Sequence, residues 1–209
     1  MSLQFTQRNI LLFIMICILL LSPLQVRAEE FNHTVKKGET LWSIAQSYQV
    51  GLSEILASNR HIDNPHLIFP GQKLHIPQLN EIKLIEKQVI TLTNLERKDA
   101  GLPPLQTNWE LSRVARFKSK DMKELNYFSH DSPTYGSPFT MINNFNISFR
   151  TAAENLAAGQ RTPKEVVSAW MNSPGHRANI LKKEVSEIGV GYVNGGEYGH
   201  YWTQMFISR

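Results

Sequence analysis

Cysteine is nearly missing from this chain of 209 residues: the one cysteine, Cys17, sits inside an apolar run that extends from Ile10 to Leu21. That excludes a disulfide framework and any zinc site built on thiolates, so the fold must rest on its hydrophobic core. Long apolar runs are missing too, because twelve residues fall short of the roughly 20 that span a bilayer as a helix. No tract is rich in Gly or Ser, low in complexity or internally repeated, so neither a flexible linker nor a solenoid is expected. Charge of one sign is missing as well, with 22 Lys and Arg against 18 Asp and Glu leaving +4. Such a balance does not call for nucleic acid as a partner and is compatible with an anionic wall.

What is there begins with an address. Arg8 precedes the apolar run, Ser22 and Pro23 end it, and Val26-Arg27-Ala28 offers small or apolar residues where a signal peptidase reads. Residues 1–28 are read as a secretory signal, leaving no stable membrane anchor after cleavage. Met15-Ile16 ahead of Cys17 do not suit lipidation. Losing Arg8 and Arg27 without any acid lowers the formal charge from +4 to +2.

Between His33 and Pro77, strand-like pieces (33–35 and 73–76) enclose two helical stretches. Thr40 can cap the first, whose apolar positions Leu41, Ile44, Ala45 and Tyr48 follow helical spacing. Ser53 can cap the second, with Ile55 and Leu56 turned inward, and Pro70-Gly71 forces a turn before the last strand. The run H-T-V-K-K-G-E-T-L-W-S-I-A, followed by N-P-H-L-I-F-P-G-Q-K-L-H-I-P, closely resembles a LysM module over residues 32–77. The resemblance implies a small β-α-α-β unit that binds N-acetylglucosamine-containing glycans, such as peptidoglycan or chitin. It implies a shallow groove between a loop at Gly38, Glu39, Thr40 and Leu41 and a loop at Ile68, Phe69, Pro70 and Gly71. Glycines there let backbone amides approach N-acetyl groups. Leu41, Ile68 and Phe69 would face the methyl and the sugar ring, with core packing an equal alternative for Leu41.

Residues 78–84 read as a short linker, so two domains should sit close together. An amphipathic helix is then expected on Ile82, Ile85, Val89, Leu92 and Leu95, ended by Gly101 and Pro103. Asn108 can cap a second helix with Leu111, Val114, Ala115, Met122 and Leu125 inward. Thr162-Pro163-Lys164-Glu165 opens a third, and Ser173-Pro174 a fourth with His176 in its first turn. The tail changes period: 188–193 and 201–207 flank Asn194-Gly195-Gly196 and read as two antiparallel strands. Helices first and strands last predict a layered α+β domain.

Seven motifs in this part follow a familiar order: N-x-x-R at 94–97, G-L-P-P-L at 101–105, Y-F-S-H at 127–130, A-E-N-L at 153–156, S-P-G-H-R-A-N-I at 173–180, G-V-G-Y at 189–192 and W-T-Q-M-F at 202–206. Together they resemble a bacterial CAP domain over residues 85–209, in the superfamily of cysteine-rich secretory proteins, antigen 5 and plant pathogenesis-related proteins. The resemblance implies an α-β-α sandwich with an open central cavity, in which metal-binding members use two histidines and two glutamates. His130, Glu154 and His176 match three of these. The second glutamate would follow Trp170 by three positions, where Met171, Asn172 and Ser173 stand instead. Two imidazoles and one carboxylate with an open position still suit zinc, so these three are the candidate zinc ligands, the alternative being a metal-free polar site.

The expected protein is secreted and cell-wall associated, tethered to peptidoglycan by its LysM module, with the CAP domain acting as a binding or structural module. One alternative is a hydrolase of wall peptides or proteins that uses Glu154 as base beside His130 and His176. Another is a spore coat or cortex assembly factor, with cell-wall or spore-coat proteins as partners. Ser129-His130-Asp131 is no triad, because three consecutive residues cannot align nucleophile, base and orienter. Ser132 or Ser173 beside a histidine is the remaining nucleophile-base pairing. Tyr127, Phe128, Trp170, Trp202 and Phe206 form an aromatic set that is either core or groove.

Overall fold

A computed structural model describes residues 31–209, so the expected secretory signal lies outside the described residues. The chain from Asn32 to Arg209 forms one compact unit. Its first helix, α1 (Leu41–Tyr48), starts as the sequence requires: Thr40 Oγ1 accepts from the Ser43 amide and Ser43 Oγ from the Thr40 amide, a reciprocal capping box. Leu41, Ile44 and Ala45 are buried against Ile55 of α2 (Leu52–Ser58). Ser53 is not the cap of α2. That helix begins one residue earlier, behind Gly51, and the Ser53 hydroxyl donates to Glu54 Oε2 and accepts from Arg113. Strands β1 (Asn32–Thr34) and β2 (Lys73–His75) pair antiparallel with His33 opposite Leu74. Asn59, buried at the end of α2, donates to the Ile55 and His75 carbonyls at 2.7 Å each and accepts from the His75 amide at 2.8 Å. Its amide thereby pairs one edge of β2 where no third strand does.

The stretch expected as a linker is helical from Asn80 onward, as the start of α3 (Asn80–Asp99). Its buried face is Glu86, Val89, Ile90, Thr93 and Arg97, with Ile85 and Leu92 packed at the margin and Leu95 exposed. An apolar stripe mispredicts this face because three of the buried residues are polar, each with its own partner. Arg116 forks Glu86 at 2.7 and 3.1 Å, and Thr93 bonds the Val89 carbonyl. Arg97 reaches the Pro103, Ile180 and Lys182 carbonyls, and Asn94 holds both backbone groups of Leu105. The N-x-x-R motif thus fastens the turn at 101–105 and the chain near Ile180 to one helix.

The main sheet has the order β3-β5-β6-β4, with β3 (Gln106–Thr107) parallel to β5 (Glu187–Asn194) and the other neighbours antiparallel. The strands β4 (Thr151–Ala158) and β6 (His200–Ser208) complete it. Alternation divides its faces. Ile188, Val190, Tyr192, Trp202 and Phe206 join a core with α3, α6 (Pro163–Met171) and α7 (Pro174–Ile180). Met205 and Ile207 pack on the other side with Leu111, Val114 and Ala115 of α4 (Trp109–Glu124) and with α5 (Pro138–Asn144). The result is the expected α-β-α sandwich. Glycine in G-V-G-Y has a direct cause: a Cβ on Gly189 would lie 2.4 Å from the Leu111 carbonyl carbon, and one on Gly191 2.1 Å from that of Ala115. Helix α4 therefore rests on the bare backbone of β5.

Two elements depart from the order of helices first and strands last. Strands β3 and β4 fall among the helices, and A-E-N-L lies on β4. Its sequence T-A-A-E-N-L-A-A is poor in β-branched and aromatic residues and lacks apolar alternation, so no strand signal exists locally. Leu125, expected inward, is exposed because α4 ends at Glu124.

The small module is docked on α3 and α4. Arg113 forks Glu54 at 2.6 and 2.9 Å, and Lys83 Nζ donates to the Tyr48 carbonyl at 2.7 Å. Burial pushes the Glu54 carboxyl up, yet the hydrogen bonds from Arg113 and Ser53 outweigh it and hold the group below its ordinary value. A carboxyl lowered in the folded state stabilises above its unfolded pKa and loses that contribution as pH falls through the folded one. Arg113→Ala should cost about 1 kcal/mol at neutral pH. The gap from the parent should shrink as pH drops from about 5 to about 3, followed by thermal unfolding; a gap independent of pH would contradict the pairing. Gly191→Ala should cost about 1–3 kcal/mol in urea denaturation, since neither backbone can yield freely.

Candidate functional site

The site is built on the edge strand. Lys118 and Asp121 lie three residues apart on α4, hence on one face, beneath the loop that follows the helix. Asp121 accepts from the Tyr127 hydroxyl at 2.5 Å, from Ser132 Oγ at 2.6 Å and from Thr134 Oγ1 at 2.6 Å. Lys118, fully buried, donates to the Tyr127 hydroxyl at 3.1 Å and to the His130 carbonyl at 2.8 Å. So pinned, the loop aims His130 at Glu154, and His130 Nδ1 donates to Glu154 Oε1 across 2.7 Å. The two groups differ in solvation, with the His130 side chain 56% exposed and that of Glu154 3%. Glu154 Oε2 is buried without a hydrogen-bond partner. Burial raises the Glu154 carboxyl, although His130 and Lys118 pull it down, while the hydrogen bond His130 donates to Glu154 raises the imidazole against its own burial. Ser132 is committed elsewhere: besides donating to Asp121 it accepts from the Thr134 and Tyr135 amides, so it forms no nucleophile-base pair with a histidine.

On the opposite face of β4 the next residue, Asn155, organises the approach of α7. Its Nδ2 donates to the His176 carbonyl at 3.1 Å and to Gln204 Oε1 at 3.0 Å, and its Oδ1 accepts from Asn179 at 2.9 Å. Asn179 also donates to the Glu154 carbonyl, and Trp170 Nε1 to that of Leu156. Side-chain donors thus cover the edge that a neighbouring strand would otherwise take. His176 stands at the first turn of α7 and its imidazole is lowered by burial and by the charge of His130. Trp170, Trp202 and Phe206 are core, whereas Phe128 is exposed.

Among the described residues, no three His, Cys, Asp or Glu side chains are grouped so as to hold a metal ion. His130 and Glu154 meet, the open Oε2 has the character of a ligand atom, and His176 is near enough for the charge of His130 to act on it.

In the small module, Gly38 and Gly71 occupy turns with φ of 87° and 88°. Phe69 and Pro70 stand in solvent, Phe69 being 59% exposed. Ile68 is partly buried against the core, and Leu41, at 2% exposure, belongs to it and presents nothing to a sugar. Thr40 is spent on its cap, and Glu39 Oε2 accepts from His33 Nε2 and the Lys36 amide at 2.7 Å each, tying the loop down. Trp42 is 54% exposed. It falls off the stripe of Leu41, Ile44, Ala45 and Tyr48, a signal that was legible.

Comparison with known proteins agrees with this architecture. The family model for the cysteine-rich secretory protein family matches residues 90–206, and that for the LysM domain residues 33–77. A Bacillus subtilis (strain 168) protein named "Uncharacterized protein YkwD" is 57% identical over 130 residues, covering 62% of this chain and 49% of its own. Over 45 residues, 22% of this chain, "SpoIVD-associated factor A" of the same organism is 44% identical, with 12% of its length covered. "Probable autolysin SsaALP" of Staphylococcus aureus is 48% identical over 45 residues, 22% of this chain and 16% of its own. The chain therefore spans about half the length of the first of these relatives and much less of the others. The crystal structure of an extracellular SCP-domain protein from Bacillus anthracis superposes with a TM-score of 0.56 at 36% identity, covering 67% of this chain and 47% of that one.

Glu154→Gln keeps the size of the side chain and removes its charge. The His130 titration midpoint, followed by NMR of the ring protons, should then fall toward or below its ordinary value. An unchanged midpoint would show that the pair is not formed in solution.

Proposed function

The chain belongs to the cysteine-rich secretory protein family and carries a LysM domain ahead of the family domain, and from that premise we propose that it is held on peptidoglycan-type glycan by LysM while the family domain presents a cleft around His130, Glu154 and His176 to a ligand in the wall. The coarse conclusion, a cell-wall-associated protein, is supported by the two domains and by relatives named as an autolysin and as a SpoIVD-associated factor. The finer reading rests on Phe69, which stands in solvent beside the Gly71 turn while the module core is complete without it. An apolar ring beside an open backbone turn is what the C–H face and acetamido group of a sugar can use.

Binding is favoured over catalysis because Ser132, one of the two candidate nucleophiles, is locked to Asp121. Hydrolysis is a second reading, favoured by one observation: burial moves the Glu154 carboxyl up, toward the range in which a general acid or base works. A spore envelope is a second setting, favoured by a similarity of 44% identity over 45 residues to the "Spore coat assembly protein ExsA" of Bacillus cereus.

Sedimentation with purified peptidoglycan tests the tether. The protein should pellet at moderate salt, and Phe69→Ala should weaken pelleting roughly tenfold. Failure of the parent to pellet, or pelleting indifferent to Phe69→Ala, would overturn the assignment.

A further inference from the structure

Beside His176 the family domain carries an opening that its packing does not explain. Phe128, from the loop after α4, and Tyr198, from the loop between β5 and β6, are 48% and 47% exposed. Their ring centroids lie 6.4 Å apart with the planes tilted by 58°. Two large rings presented together from separate loops leave apolar area in water that a partner would cover. Between them and His176 runs a groove of roughly 380 Å³, bounded by Ala158 of β4, by Gln160 and by Ser173. That is the size of a small-ligand pocket, about 300–1,000 Å³.

The chemistry of the lining selects among ligands. No Asp, Glu, Lys or Arg borders the groove. Gln160 Oε1 is buried without a hydrogen-bond partner, and Ser173, the cap residue of α7, makes no side-chain capping bond. The last torsion of a glutamine is soft, so this oxygen can turn to meet an entering donor. The groove therefore offers apolar ring surfaces and neutral polar groups but no counter-charge. A peptide stem with free carboxylates or amines, or an anionic polymer, would be desolvated there without compensation. A neutral amphipathic ligand with N–H and O–H donors would not.

We propose that this groove is a second glycan subsite, which takes an uncharged N-acetylated sugar with its C–H face against Phe128 and Tyr198 and an N–H or O–H donor toward Gln160. The proposal rests on the reading that LysM holds the chain on N-acetylated glycan, since that is what brings such sugars to the groove.

The test is an NMR titration of the whole protein with the N-acetylglucosamine trimer. Two groups of amides should shift, one around Gly38 and Gly71 and the other around Ala158, Gly159 and Tyr198. In a Phe128→Ala, Tyr198→Ala double variant the second group should bind roughly tenfold more weakly while the first is unchanged. Both rings are half-exposed, so the fold should survive, and Gln160→Ala supplies an independent variant with the same expectation. Movement of the first group alone, or a second group indifferent to these variants, overturns the subsite and leaves the tether standing. No movement in either group removes the tether as well. A sugar-free stem peptide that shifts the second group when the trimer does not also overturns the proposal.

Discussion

Asn155 is buried within the sheet, and a carboxamide there must find partners for a donor pair and an acceptor or carry a desolvation penalty of about 1–3 kcal/mol for each group left open. Its partners come from three directions: the His176 carbonyl, Asn179 and Gln204. Gln204 is its cross-strand neighbour on β6 and passes the chain of bonds to Thr93 on α3. One amide therefore fixes α7 against β4 and ties both to α3. His176 is placed by the backbone bond beside it.

Strand alternation does the rest. With Asn155 turned toward α3 and α7, Glu154 must turn to the opposite face, where Lys118 and the loop carrying His130 await it. The His130–Glu154 pair and the backbone of His176 thus meet β4 on its two faces. The pair is electrostatically tense. Glu154 has one oxygen satisfied by His130 and one buried and open, with the Lys118 charge near enough to pull its carboxyl down but without a hydrogen bond to it. Such a group is sensitive to anything that enters.

The two domains share this economy of polar anchors. Asn59 clasps β2 in the LysM domain much as Asn155 clasps α7 in the family domain, and Arg113 joins the two through Glu54. Phe69 of the first domain and Phe128 and Tyr198 of the second are left in water. Apolar area that a core could have absorbed stands at the surface of both domains.

The caps at Thr40, Asn108 and Thr162 and the hairpin of β5 and β6 could be read in the sequence, because each depends on local signals: hydrophobic period, cap residues and glycine punctuation. The two domains and the α-β-α layering were legible through the resemblance of their motifs to known families. His130, Glu154 and His176 could be named as candidates, and so could Phe69. Local signals said nothing of β4, whose eight residues are strand only because β6 pairs with them, nor of the face of α3, which buries Glu86 and Arg97 because partners 30 and 83 residues away meet them there. Tertiary structure alone settled Leu41 as core, tied Ser132 to Asp121, joined His130 to Glu154 and set Phe128 beside Tyr198. The reason is general: period and propensity act between neighbours in the chain, whereas the pairing of buried polar groups is decided between residues that only the finished fold brings together.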